Sequence, residues 1–133
     1  MTMFDVYLVP GDSLLVARPQ GILDVRTAEE IIKFVEIKEV AIETGFNRFC
    51  DLTYLAKIRL SPAHVLPLAA RRGAFNPNDI HVKAAFFATD ILGLKIANMY
   101  KRLLNSPRIE VRVWSNIQEA ADWLGVERKL LLL

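Results

Sequence analysis

A chain of 133 residues with 53% hydrophobic and 24% charged side chains is too apolar to stay disordered, and long enough to bury a core without metals or cross-links. A net charge of +2, with the basic residues not interleaved with aromatics, gives no support to nucleic acid as a partner, and the lone Cys50 excludes an internal disulfide. No apolar run reaches the roughly 18 to 20 residues of a membrane span, the start Met-Thr-Met-Phe-Asp has no basic secretion region, and no Gly, Ser or Pro-rich linker interrupts the chain. One domain over residues 1–133 in the cytoplasm is the expectation.

The chain order of elements alternates strand and helix. Phe4 to Val9 and Ser13 to Arg18, joined by Pro10-Gly11-Asp12, read as an opening hairpin. In Gly21-Ile22-Leu23-Asp24-Val25-Arg26-Thr27-Ala28-Glu29-Glu30, Thr27 is placed to cap a helix, with Glu30 reaching back to the cap amide. That helix runs to about Glu43 with Ile31, Val35 and Ile42 inward and Glu29, Lys33, Glu36 and Glu43 outward, and Gly45 is its expected stop. Phe46 to Leu52 reads as a strand, and Tyr54 to Leu60 as a loop or irregular crossing. Ser61-Pro62 opens a second helix, which Pro67 is expected to kink or delay.

After the loop Asn76-Pro77-Asn78-Asp79, the run Ile80 to Ala88 is apolar on both faces in its second half, as a central strand covered by helices must be. Asp90 then caps a helix to about Leu104. Ile109 to Trp114 alternates as a less buried strand, and Ser115 or Asn116 caps a last helix ended by Gly125. The terminal Leu130-Leu131-Leu132-Leu133 is expected to pack on the domain or on a second copy of it, as in a homodimer. The sum is an α/β fold: a mixed sheet of four or five strands with about four helices.

Reactive groups are scattered. His64 and His81 have no ligand partner at zinc spacing, so neither a metal nor another cofactor is expected. Asp51 beside Cys50 disfavours a thiolate, and the glutamates at 29, 30, 36, 39 and 43 sit at solvent-face spacing, so catalytic residues are not expected and the chain reads as non-enzymatic. Charge is uneven: residues 1–51 carry 5 basic and 9 acidic side chains, the remainder 12 and 6. That asymmetry steers an acidic partner, or marks ordinary solvated faces that folding brings together.

One stretch combines a helix start with a cation. A phosphate on Ser61 would gain from the free amides and dipole of the second helix, and Arg59 would pair with it. The alternative is that Ser61 is only a cap and Arg59 only a surface cation.

The Gly21 to Glu30 cassette resembles the G-x-L-D-x-x-T-A-E-E segment of STAS domains, the family of sporulation anti-sigma-factor antagonists. Asp51-Leu52-Thr53 followed by Ile58 to Pro62 resembles their D-L-S segment and phospho-acceptor motif I-D-S-S-G. That alignment puts Ser61 at the acceptor serine, while Arg59, Leu60 and Pro62 stand where the motif has aspartate, serine and glycine. Lys83 to Asp90, Gly93, Met99, Tyr100 and the segments Glu110 to Trp114 and Glu119 to Leu124 look like the bacterial SpoIIAA-like proteins, a group linked to both STAS and CRAL-TRIO folds.

The resemblance implies a regulatory domain that binds a protein partner through Ser61 and Arg59, with Asp24 shaping the loop and Tyr54 and Lys57 at the rim. A second reading, from the CRAL-TRIO side, is a module holding a lipid or other small apolar ligand between helices and sheet. Phe75, Phe86, Phe87, Met99, Tyr100 and Trp114 are its candidate lining.

Overall fold

Parallel strands need long crossovers, and this chain supplies three helical ones in succession. In the computed structural model, which describes residues 4–9, 11 and 13–132, β1 (Phe4–Val9) and β2 (Leu14–Pro19) pair antiparallel as the expected hairpin. Pro10 and Asp12 of the expected turn, and Leu133, lie outside the described residues. From β2 the chain passes through α1 (Val25–Ala41) to β4 (Asn47–Asp51), through α2 (Pro62–Ala74) to β6 (Val82–Phe87), and through α3 (Ile91–Leu103) to β7 (Ile109–Trp114). These strands are parallel to one another, and the sheet order is β1-β2-β4-β6-β7.

The expected mixed sheet of four or five strands is present with five, and the described residues form four α-helices where about four were expected, the fourth being α4 (Ile117–Leu124). An addition corrects the expected loop at Tyr54 to Leu60: β3 (Gly21–Leu23) and β5 (Leu55–Ile58) form a separate two-stranded parallel sheet. The amide of Gly21 donates to the Tyr54 carbonyl, and that of Arg59 to the Leu23 carbonyl, so this ribbon clamps the two segments together.

Strand register sorts the core. Leu15, Arg48, Ala84 and Val111 lie in one row across the sheet, and Ala17, Cys50, Phe86 and Val113 follow two residues on along the same face. Leu15, Ala17, Cys50, Phe86 and Val113 pack in the clusters that α1, α2 and α3 cover. The opposite face presents Leu14, Val16, Phe49, Ala85 and Phe87 to α4 and to the 3-10 turn Arg128–Leu131. Arg18, on that second face, pairs with Asp51 at 3.6 Å, donates to the Tyr7 hydroxyl at 2.9 Å, and donates to the Leu131 carbonyl. Of the terminal leucines, Leu131 is thus committed to the chain's own core, while Leu132 is exposed.

Three caps fall where local chemistry put them. Ser61, Asp90 and Asn116 each accept from the backbone amide three residues on, and Gly125 ends α4 in the left-handed conformation at φ 72°. The first helix departs from expectation. Asp24, not Thr27, is its cap, accepting from the Thr27 amide at 2.9 Å, so α1 begins two residues before Thr27, which is buried inside it. The same hydrogen bond holds the Asp24 carboxyl below its ordinary value. The helix ends at Ala41 with Ile42 as its cap, and Gly45 serves the following turn at φ 79°, where an added Cβ would stand 2.6 Å from Ile80 Cγ2. Pro67 lies inside α2 without delaying it: the helix starts at Pro62.

Candidate functional site

At the carboxyl end of the parallel strands, the β3–β5 ribbon gathers the residues expected to meet a partner. Asp24 follows Leu23, which pairs with Ile58, so Asp24 and Arg59 leave the ribbon side by side, and Ser61 opens α2 two residues later. Lys57, Arg59 and Ser61 are exposed. Tyr54 lies at the other end of the ribbon, beside Gly21, and is 57% exposed.

Ser61 takes part in a reciprocal cap that the sequence reading did not assign to His64. The His64 amide donates to Ser61 Oγ at 3.4 Å, while the Ser61 amide donates to His64 Nδ1 at 3.1 Å. Histidine here does what glutamate does in the usual capping box. No carboxylate bonds His64 among the described residues, so the base-orienting third member of a serine nucleophile relay is lacking. Exposed apolar side chains surround this end: Ile22 on the ribbon, and Ile91 and Leu92 at the start of α3, a helix seated against Leu52 through Gly93.

A second feature lies inside. Between the sheet face carrying Cys50 and Phe86 and the covering helices α1, α2 and α3 is a cavity of about 160 Å³. It extends from Pro19, Leu23 and Leu60 at one end to Arg48, Arg72 and Tyr100 at the other. Apart from those last three residues and the Cys50 thiol, every lining side chain is hydrocarbon. Burial, with the Asp51 charge adding to it, pushes the Cys50 thiol up to about 12, so it lines the space as a neutral, unreactive group.

Of the aromatic residues expected to line such a pocket, Phe86 and Tyr100 do, with their rings 5.5 Å apart. The others are corrected. Phe87 and Trp114 point to the opposite face and pack with α4, Met99 belongs to the helix-side core but does not line the cavity, and Phe75 borders a separate small depression beside Gly45 and Ile80. A strand apolar on both faces gives no parity signal, which is why Phe86 and Phe87 looked equivalent.

The polar end of the cavity was not read from the sequence at all. Glu36, expected outside, is buried. It accepts from Arg71 Nη2 at 2.6 Å and from Arg72 Nη1 at 3.4 Å. Glu39 accepts from both Arg72 terminal nitrogens, at 2.8 and 2.7 Å, and from Arg48 Nη1 at 2.8 Å. Burial alone would raise Glu39, but the hydrogen bonds and charges of Arg72 and Arg48 outweigh it and hold the carboxyl below its ordinary value. Burial pushes the Tyr100 phenol up despite the two guanidiniums nearby, so it keeps its proton. The one signal available was Arg48 itself, a cation within a five-residue central strand.

Two solved structures share this architecture. A protein of the DUF3478 family from Shewanella loihica PV-4 with a SpoIIAA-like fold aligns over 92% of both chains at TM-score 0.60 and 18% identity. The anti-sigma factor antagonist SpoIIAA in its unphosphorylated form aligns over 92% of this chain and 98% of its own at TM-score 0.58 and 13% identity. No protein-family profile matches the chain, and no curated protein does. The fold is thus SpoIIAA-like. Among the described residues no helix is long and apolar enough to cross a membrane, and no cluster of His, Cys, Asp or Glu is arranged to hold a metal ion.

Proposed function

We propose that this SpoIIAA-like chain is a non-catalytic regulatory domain that docks a protein partner on the end formed by the β3–β5 ribbon and the start of α2. The observation that carries the reading is the exposure of Ser61, Arg59, Lys57 and Tyr54 on and beside one clamped ribbon, with the half-buried Asp24 shaping its exit by capping α1. The helix start supplies a positive dipole end, its leading amides being taken up by the Ser61–His64 cap, and the arginine and lysine add charge, which suits an acidic partner surface or a phosphate on Ser61. A domain of the anti-sigma-factor-antagonist type is the finer reading, supported by the structural likeness to SpoIIAA. Partner capture from lysate with the purified chain as bait is expected to lose its specific band with Ser61→Asp and with Arg59→Ala. Capture unchanged by both substitutions sinks this surface.

A second reading is favoured by the cavity: the domain holds a small apolar molecule between sheet and helices. Native mass spectrometry of the purified chain is then expected to retain an apolar adduct that disappears on denaturation. Bare protein, with no thermal shift across a panel of lipids and alkanols, counts against it.

A further inference from the structure

We infer that the cavity takes an amphipathic monocarboxylate, with its alkyl chain between sheet and helices and its carboxylate on Arg48, Arg72 and Tyr100. This deepens the apolar-ligand reading and rests on it. Arg48 stands on the central strand of the sheet facing the helices, a place where a charge needs specific compensation. Its partners leave it incomplete. Nη1 donates to Glu39 and Nη2 to the Phe46 carbonyl, but Nε is buried with no acceptor.

The surrounding charge is shared rather than paired one to one. Three guanidiniums, Arg48, Arg71 and Arg72, are ion-paired to two carboxylates, Glu36 and Glu39, and Glu29 acts on the outermost, Arg71, through its charge only. Arg71 is partly in water, whereas the side chains of Arg48 and Arg72 are 12% and 4% exposed and share Glu39. A ligand carboxylate adds one negative charge and the acceptor that Arg48 Nε lacks. Tyr100, lining the same end, can donate its phenolic proton to it. Arginine forks suit a planar carboxylate better than a point charge does.

The rest of the lining is hydrocarbon and sets the other half of the ligand. About 160 Å³ is similar to the ~150 Å³ of an engineered apolar cavity that accepts benzene, which favours a medium alkyl chain over a full-length one. Hexanoate and octanoate are the probes nearest that size.

Calorimetric titration of the full chain with hexanoate, octanoate, decanoate and palmitate, each against the matching alkanol, tests the inference. Octanoate is expected to bind at least about tenfold more tightly than octanol, because hydrogen bonds to charged groups exceed neutral ones. Arg48→Lys, which keeps a cation for Glu39 but removes the fork, is expected to erase most of that preference while leaving octanol binding in place. Should that variant not fold, the unmodified protein still decides. The carboxyl resonance of bound carbon-13-labelled octanoate is expected to titrate at lower pH than the free acid. Equal binding of acid and alkanol, or a bound carboxyl that titrates higher than the free acid, overturns the carboxylate while the apolar pocket stands. Binding of neither overturns both.

Discussion

Replacing Arg72 by alanine is expected to cost about 3–5 kcal/mol of folding stability, the range for breaking a buried ion pair by removing one partner. The side chain is 4% exposed and is the residue that ties Glu36 to Glu39, so its loss leaves Glu39 with Arg48 alone and Glu36 with the exposed Arg71. Urea denaturation with unchanged slope measures it. A second substitution, Glu39→Gln, is expected to add much less to the Arg72→Ala background than to the native protein, because the two groups act as a unit. A cost below about 1 kcal/mol would place the cluster with solvent-screened surface pairs instead.

The same cluster gives a pH dependence of fixed sign. Glu39 has a folded pKa below its ordinary 4.5, so the stability it contributes is complete above 4.5 and is lost as pH falls through the folded value. Denaturation midpoints are expected to drop below that pH in the native protein and to drop less in Arg72→Ala. Parallel acid profiles for the two proteins would exclude Glu39 as the linked group.

Leu131→Ala is expected to destabilise by about 2–5 kcal/mol, and Leu132→Ala by no more than about 0.5 kcal/mol. Adjacent leucines differ this much because Leu131 is fully enclosed against α4, Phe49 and Val16, whereas Leu132 is 58% exposed. The backbone of Leu131 also supplies the acceptor for Arg18, which is ion-paired to Asp51. Thermal unfolding of the two variants side by side makes the comparison. Equal melting temperatures would mean that the terminal turn adds nothing to the core.

Local chemistry was legible in the sequence and long-range partnership was not. Ser61-Pro62, Asp90, Asn116 and Gly125 marked helix ends because a cap involves residues only three or four apart. Asp24 was passed over for Thr27 because both residue types cap well, and the choice rests on where β3 ends. The ribbon strands β3 and β5 have three and four residues, too few to show alternation. Glu36 and Glu39 carry the spacing of a solvent face, yet the arginines that draw them inward lie 33 to 36 positions away on α2. The cavity depends on how far three helices stand off the sheet, a distance no single-sequence pattern encodes. Ser61, by contrast, is locatable from cap chemistry alone, since Ser-Pro suits a helix start.

The unbroken progression β1-β2-β4-β6-β7 has a consequence for where small molecules can enter. Open α/β sheets usually bind them in the crevice created where successive crossovers start turning the other way. This chain never turns back, so its strand tips diverge nowhere, and that ready-made crevice has no place in it. The space between sheet and helices, itself partly open, takes its place, so a guest's arrival and departure would be governed by how far α1, α2 and α3 stand off the sheet rather than by the motion of a surface loop.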